Sequence, residues 1–168
     1  MTASILVTYA TKHGSTRQVA DTIAATLAAD GLAVAVEPAA DVGDVGMYAG
    51  VVLGCALYMG RPHADARRFL RRHHKALSGM PVAVFAMGPM TMREDDVEGS
   101  KKQLDQALAK VSDITPISTA IFGGVVDPEN LHFPFNHMQV SDARDWSSIE
   151  GWAREVGALF SVRLSLAV

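Results

Sequence analysis

The sequence predicts an α/β fold with a doubly wound, five-stranded parallel sheet and helices on both of its faces. Five short apolar runs, rich in β-branched residues, alternate along the chain with segments whose apolar residues recur at helical spacing. Most of the runs are continuous, which is typical of strands that are buried on both faces of a parallel sheet. The length of 168 residues fits one domain, which we predict to span residues 1–168.

The runs place the five strands at residues 5–7, 33–36, 50–54, 82–87 and 117–122. The first helix is predicted over residues 15–30, with Gly31 as a typical C-terminal stop. Its apolar face comprises Val19, Ala20, Ile23, Ala24, Leu27 and Ala28. The glycine-rich residues 41–50, between strands two and three, allow a short turn of helix at most.

Three further helices are predicted at residues 64–77, 97–111 and 145–162. The first of them is strongly basic, and its apolar side consists of Phe69 and Leu70. The other two each carry an apolar stripe. The stripes comprise Leu104, Ala107, Leu108 and Val111 in one helix, and Trp146, Ile149, Trp152, Ala153, Val156, Leu159 and Phe160 in the other.

Composition limits the classes of function. The net charge of −3 argues against a general nucleic-acid binder, because the chain has no overall basic field to attract phosphates. No window approaches the roughly 18 apolar residues that a transmembrane helix needs, and the N-terminal residues lack a signal-peptide pattern. Cys55 is the only cysteine, as is common in a reducing compartment. We expect a cytoplasmic protein in which Cys55 is a small buried residue rather than a reactive thiol.

A loop rich in hydroxyl groups, YATKHGST at residues 9–16, follows the first strand. Ligands of open parallel sheets bind beyond the carboxyl ends of the strands, and a helix that begins there attracts an anion through its N–H groups and its dipole. Thr11, Ser15 and Thr16 add neutral donors, while Gly14 allows the backbone to turn inward. The alternative is that Ser15 and Thr16 only cap the helix.

Other known sites fit this chain poorly. The triphosphate motif GxxxxGK[ST] and the dinucleotide motif GxGxxG are both absent from the loop. The six histidines form no recognised metal-ligand spacing, so we predict no metal site. The loop therefore suits a single terminal phosphate on a small cofactor.

At these residues the chain resembles the flavodoxin superfamily. Its phosphate loop is matched at Thr8, Thr11, Gly14 and Thr16, and its second flavin loop at Gly54, Cys55, Tyr58 and Gly60. The stretch FAMGPMT, residues 85–91, lies where the third flavin loop follows strand four. Together with IFGGVVDPENL and RDWSSIEGWAREV further on, these segments are most similar to flavodoxin-domain proteins of the menaquinone-dependent protoporphyrinogen IX dehydrogenase type.

The resemblance implies the strand order 2-1-3-4-5 and FMN as the cofactor. It places the phosphate on the first loop and the flavin ring between the second and third loops. The implied FMN-binding residues are Thr11, Lys12, His13, Gly14, Ser15, Thr16, Ala56, Leu57, Tyr58, Met59, Gly60, Met87, Gly88, Pro89 and Met90.

One departure concerns the chain between strand five and the last helix. The porphyrin-oxidising relatives carry a basic, membrane-seeking insertion there. In this sequence residues 125–145 contain His132, His137 and Arg144 but no lysine. This difference weakens the prediction of a quinone- or membrane-facing role.

The strongest charge feature is the run from Arg67 to Lys75 in the second helix, with Arg67, Arg68, Arg71, Arg72, His73, His74 and Lys75. Its simplest interpretation is a solvated face whose late basic residues complement the helix dipole. The functional alternative is that Arg67, Arg68, Arg71 and Arg72 dock an acidic redox partner or an anionic substrate.

We therefore predict an FMN-dependent oxidoreductase that exchanges electrons with a small organic partner such as a quinone or a porphyrinogen. No catalytic acid or base can be assigned from the sequence. One alternative is an electron carrier without its own substrate, although carriers of this superfamily tend to be strongly acidic and this chain is not. The other is a flavin-free descendant that only binds a partner.

Overall fold

The computed structural model describes residues 3–11, 14–58, 61–88, 92–111, 114–126 and 141–166. Strands and helices alternate through these ranges. The strands are β1 (Ser4–Ala10), β2 (Ala33–Pro38), β3 (Gly50–Tyr58), β4 (Arg61–Pro62), β5 (Val82–Met87), β6 (Ser118–Phe122), β7 (Val125–Val126) and β8 (Ser141–Asp142). The helices are α1 (Ser15–Ala29), α2 (Ala64–Ser78), α3 (Glu94–Ala109) and α4 (Trp146–Leu166), and a 3-10 turn occupies Ala39–Asp41.

The five long strands form one parallel sheet in the order β2-β1-β3-β5-β6. Counted without the two-residue β4, which pairs antiparallel with the end of β3, this is the predicted order 2-1-3-4-5. The order reverses between β1 and β3, so a crevice opens beyond their carboxyl ends, at Ala10 and Tyr58. The predicted α/β fold class is confirmed.

Two core layers lie on opposite faces of the sheet, because successive strand side chains point to opposite faces. In β1, Ile5 and Val7 pack with α1 and α4, whereas Leu6 and Ala10 pack with α2 and α3. Side chains such as Phe85 are completely buried, and each contributes roughly 1.5–3 kcal/mol to folding.

The helix α1 ends as its sequence predicts. Gly31 has φ +95°, its N–H donates to the Ala28 carbonyl at 3.0 Å, and the Leu32 N–H donates to the Leu27 carbonyl at 3.2 Å. This pair of bonds is a Schellman motif, which requires a residue that tolerates the left-handed conformation. One predicted core position was wrong, because Ala28 is exposed.

Several burial predictions fail at the edges of the molecule. Among the described strands β2 pairs only with β1 and is therefore half-buried, with Val36 42% exposed, although its continuous apolar run predicted burial on both faces. In α4, Trp146 and Leu159 are 38% and 39% exposed, because the sheet covers a narrower stripe of the helix than the sequence marks as apolar. Neither failure changes the position of the crevice.

The helix α3 also differs from its prediction at both ends. It begins at Glu94, three residues before the predicted start, and ends at Ala109, before Val111. Three acidic residues occupy its first turn, where negative charge stabilises the helix dipole. Residues 42–49 are irregular after the 3-10 turn, which agrees with the prediction of at most a short helical turn in this region, and Val42 and Val45 are buried in the core layer of α2.

Candidate functional site

The turn between β1 and α1 is built around Gly14. This residue has φ +86° and is the N-cap of α1. Its N–H donates to Thr11 Oγ1 at 3.1 Å, and its carbonyl accepts from the Gln18 N–H at 3.3 Å. No described atom lies within 4 Å of a Cβ built on Gly14, so glycine is required for its backbone conformation and not for space.

The N-terminus of α1 is available to an anion. Ser15 and Thr16 are its first two helical residues, and no side chain in the described part of the chain caps the helix. The first N–H groups of a helix have no carbonyl partner within it, and the first turn of α1 holds no acidic residue. Among the described residues neither Ser15 nor Thr16 caps the helix, and their binding of an anion stays a prediction.

The hydroxyl of Thr16 lacks a partner. The residue is completely buried, and its Oγ1 accepts or donates no hydrogen bond among the described residues. A buried hydroxyl without a partner costs about 1–3 kcal/mol of stability, and such groups are uncommon unless a water or ligand satisfies them. Thr16 thus fits a site that an anion completes.

The hydroxyl of Thr8 is also buried, and it too has no partner in the described ranges. Strand alternation places Thr8 with Leu6 and Ala10 on the α2 side of the sheet, opposite to α1. Although Thr8 matches the phosphate-loop pattern in sequence, it therefore belongs to a different face from Thr16.

The carboxyl ends of β3 and β5 flank the same crevice. Ala56 pairs in register with Met87, while Leu57 and Tyr58 pair with Pro62 and Arg61 of β4, which folds back on β3. The Ala56 carbonyl accepts from the His63 N–H at 2.9 Å, and the His63 ring accepts from the Asp65 N–H at 3.2 Å to cap α2. The side chains of Ala56 and Leu57 remain half-exposed.

Two residues of the third loop are held inside the protein. Met87 is 3% exposed and packs in the core layer of α1 and α4, and its contact with the flavin ring stays a prediction. The Gly88 N–H donates to the Phe122 carbonyl at 3.2 Å. A Cβ on Gly88 would lie 2.8 Å from Ser100 Oγ, so this glycine permits close packing against α3.

The structure brings together part of the predicted site. Thr11, Gly14, Ser15 and Thr16 follow β1, Ala56 and Leu57 end β3, and Gly88 follows β5, all at one edge of the sheet. The predicted residues Lys12, His13, Met59, Gly60, Pro89 and Met90 lie outside the described residues, as do His132, His137 and the side chain of Tyr58.

Cys55 is 2% exposed, and its Sγ lies 3.8 Å from the Phe85 carbonyl. Burial raises the pKa of its thiol to about 12, so the nucleophilic thiolate is absent at neutral pH. The prediction of a small buried residue is confirmed.

The basic run of α2 is only partly exposed. Arg68, Arg71, Arg72 and Lys75 are exposed, whereas His73 is buried against Phe69. Arg67 donates from Nε to the Pro62 carbonyl at 3.3 Å, and Arg68 pairs with Asp65 at 3.2 Å. The basic surface of α2 therefore consists of Arg68, Arg71, Arg72 and Lys75.

Sequence reasoning missed a contact next to the Gly14 turn. Arg144 Nη1 donates to Gln18 Oε1, and 126 positions separate the two residues in the sequence. The sequence held one signal for a structured arginine here. Arg144 has a carboxylate two residues before it, at Asp142, and an aromatic ring two residues after it, at Trp146. Within the described ranges, none of the helices is long and apolar enough to cross a membrane.

Solved structures show the same fold. Flavodoxin from Pseudomonas aeruginosa, in a point variant, matches with TM-score 0.64 and 14% identity over 94% of this chain and 99% of that one. Flavodoxin 2 from Bacillus cereus matches with TM-score 0.59 and 19% identity over 96% and 99%. Two-electron reduced Megasphaera elsdenii flavodoxin matches with TM-score 0.55 and 22% identity over 70% and 84%.

The sequence comparisons agree with this fold. No curated protein shows significant sequence similarity to the chain. The family model described as Flavodoxin domain matches residues 6–139, which include most of β1, the Gly14 turn and the strands β2 to β7. Flavodoxins are FMN-binding electron-transfer proteins, so FMN, the predicted cofactor, is the cofactor of the family. The chain belongs to the flavodoxin domain family.

Proposed function

We propose that this protein is an FMN-dependent oxidoreductase with one flavodoxin-like domain, in which the turn after β1 holds the FMN phosphate. One observation carries the proposal. The Thr16 hydroxyl is fully buried and has no partner among the described residues, and it lies in the first turn of a helix without a side-chain cap. A phosphate would satisfy that hydroxyl and the first N–H groups of α1 together.

The residues fit a phosphate chemically. Thr11, Ser15 and Thr16 provide hydroxyl donors, and the positive end of the α1 dipole favours the dianion. Thr11 Oγ1 already accepts from the Gly14 N–H, so its hydrogen remains available to the phosphate. Each hydrogen bond to the charged group contributes about 1.5–3 kcal/mol.

Bound FMN supplies two-electron chemistry, and the protein controls it through the surroundings of the ring. The half-exposed Ala56 and Leu57 offer an apolar wall at the end of β3. The close packing of Gly88 against Ser100 and Leu57 fixes the backbone at the end of β5. These groups would exclude water from one side of a bound ring.

We infer that the electron partner is a quinone, which would take two electrons and two protons from reduced flavin, or a porphyrinogen, which would give them to oxidised flavin in successive two-electron steps. The net charge of −3 and the basic surface of α2 support an enzyme with a small-molecule partner, because electron carriers of this superfamily tend to be strongly acidic. The names of the structural neighbours favour the second candidate, an electron carrier between proteins. In either case the exposed Arg71 and Arg72 would attract an acidic protein or an anionic substrate.

The test of FMN binding is the visible spectrum of the protein after incubation with FMN and desalting. We expect a retained flavin band. The double variant Ser15→Ala, Thr16→Ala loses two charge-assisted bonds and should weaken FMN binding by several kcal/mol, at about 1.5–3 kcal/mol per bond. The control Ser161→Ala, Ser165→Ala removes two hydroxyls from α4 that bond only to helix carbonyls among the described residues. Unchanged affinity in the first variant would refute the phosphate assignment.

The FMN-loaded, reduced protein distinguishes the two candidate functions. An oxidoreductase should reduce a soluble quinone to the hydroquinone with saturation by the quinone, whereas a carrier should show no saturation.

The docking role of the basic surface of α2 has a separate test. Oxidation of the reduced protein by anionic ferricyanide should slow in the double variant Arg71→Glu, Arg72→Glu, while oxidation by cationic hexaamminecobalt(III) should not. Arg154→Glu on α4 is the charge control. Equal ferricyanide rates in all three proteins would eliminate the docking role of α2.

A further inference from the structure

Arg144 follows the two-residue strand β8 and precedes α4. Just before it, β8 pairs antiparallel with β7, and the Ala143 N–H donates to the Gly124 carbonyl at 3.0 Å. A Cβ on Gly123 would lie 2.0 Å from the Ala143 carbonyl oxygen, so the two backbones are in direct contact there. The position of Arg144 is thus set by the end of β6 and by β7.

The guanidinium of Arg144 has three partners. Its Nε and Nη2 donate to the two carboxylate oxygens of Asp142 at 2.9 and 2.7 Å. Its Nη1 donates to Gln18 Oε1, and its central carbon lies 4.8 Å from the centre of the Trp146 ring. The side chain is 11% exposed. Bidentate pairing combined with stacking is geometry that arginine provides and lysine does not.

Gln18 connects this arginine to the phosphate turn. The Gln18 N–H donates to the Gly14 carbonyl at 3.3 Å, and the Gly14 N–H donates to Thr11 Oγ1 at 3.1 Å. Arg144 is therefore linked to the turn through the Gln18 residue itself, whose side chain bonds Arg144 and whose backbone bonds Gly14.

We propose that Arg144 is a positioning residue for the FMN phosphate. By holding the Gln18 side chain, it fixes the first turn of α1 and, with it, the N–H groups and the Thr16 hydroxyl that receive the phosphate. Fixing the turn in advance lowers the entropy lost on binding. This inference rests on the proposed FMN binding, but the contact itself also predicts a property of the flavin-free protein.

The experiment compares FMN with riboflavin, which lacks the phosphate, in fluorescence titrations of the full chain. For Arg144→Ala and Gln18→Ala we expect about a 5- to 10-fold loss of FMN affinity, the equivalent of one ordinary hydrogen bond, with riboflavin affinity changed less than about 2-fold. The double variant should lose no more than the weaker-binding single variant. Arg144→Lys should resemble Arg144→Ala, because one ammonium cannot replace the bidentate pair.

The control is Arg154→Ala, which removes an exposed arginine paired with Glu150 at 3.9 Å on α4 and should change neither affinity. Hydrogen exchange of the Gln18 amide in the flavin-free protein is the second readout, and it should accelerate in Arg144→Ala. If Arg144→Ala does not fold, Gln18→Ala removes the same contact from the α1 side.

The outcomes separate the two proposals. A wild-type protein that binds neither flavin refutes the proposed function, whereas unchanged amide exchange at Gln18 refutes the positioning role by itself. If wild type prefers FMN and Arg144→Ala keeps the same preference, only the positioning role fails. Equal losses for FMN and riboflavin would also overturn it, because they would indicate a general loss of structure.

Discussion

The hydroxyl oxygen of Thr11 accepts a hydrogen bond from the N–H of Gly14 at 3.1 Å, and this contact closes the turn between β1 and α1. Gly14 holds φ +86°, a conformation that residues with a Cβ rarely adopt. Because Thr11 is the acceptor, its hydroxyl hydrogen points away from Gly14. The pair therefore shapes the turn and leaves one donor for an anion.

The first prediction concerns the Thr11 hydroxyl. Thr11→Val preserves the shape of the side chain but removes both the acceptor for Gly14 and the donor for the phosphate. We expect FMN affinity to fall by about 10- to 100-fold, at 1.5–3 kcal/mol for a bond to a charged group. Thr11→Ser should retain most of the affinity. Fluorescence titration measures both, and equal affinity of Thr11→Val and wild type would show that Thr11 does not contact the phosphate.

The second prediction separates stability from binding at Thr16. Thr16→Val replaces a buried, unpartnered hydroxyl by a methyl group, so the flavin-free protein should gain about 1 kcal/mol of unfolding free energy while FMN binding weakens. Urea unfolding with and without FMN measures both effects. Thr8→Val is the matched control, since its hydroxyl is also buried but faces α2. It should stabilise the protein and leave FMN affinity unchanged, and a loss of affinity there would contradict the assignment.

The third prediction tests the packing under the site. A Cβ on Gly54 of β3 would lie 2.1 Å from the Phe85 ring, which is itself packed against Phe122 and Trp152 at centroid distances of 5.8 and 5.9 Å. Gly54→Ala should therefore destabilise the protein by about 1–3 kcal/mol in urea unfolding.

Gly99 is the matched control for Gly54, because an alanine there should stabilise the protein rather than destabilise it. It is exposed in α3, and a Cβ added to it would have no described atom within 4 Å. Gly99→Ala should stabilise the helix by about 0.5–1 kcal/mol. If both alanine variants changed stability alike, the close approach of β3 to Phe85 would not be the cause.

The fourth prediction is a pH dependence from His73. Burial lowers the pKa of its imidazole, and the charge of Arg72 lowers it further, while Asp44 and the Val42 backbone oppose the shift. The unfolded chain, with an ordinary pKa near 6.5, then binds more protons than the folded one. Stability should therefore fall as the pH drops below about 6.5. The fall in urea midpoint between pH 7.5 and 5.5 should be smaller in His73→Leu, and equal slopes would contradict this.

The sequence alone determined the five long strands, the four helices and their order along the chain. The spacing of Val19, Ile23 and Leu27, together with the stop at Gly31, predicts α1 because helix periodicity and the left-handed turn are local properties. The hydroxyl-rich turn at Thr11 to Thr16 follows from the same local chemistry. The resemblance of these residues to flavodoxins then gave the strand order.

Only the tertiary structure decided which side chains meet. Met87 is buried in the core layer of α1 and α4 because β5 lies in the middle of the sheet, and Val36 is exposed because β2 is an edge strand. The contact of Arg144 with Gln18 joins residues 126 positions apart. Such contacts depend on how distant elements pack, and the periodicity of a single segment carries no information about its neighbour.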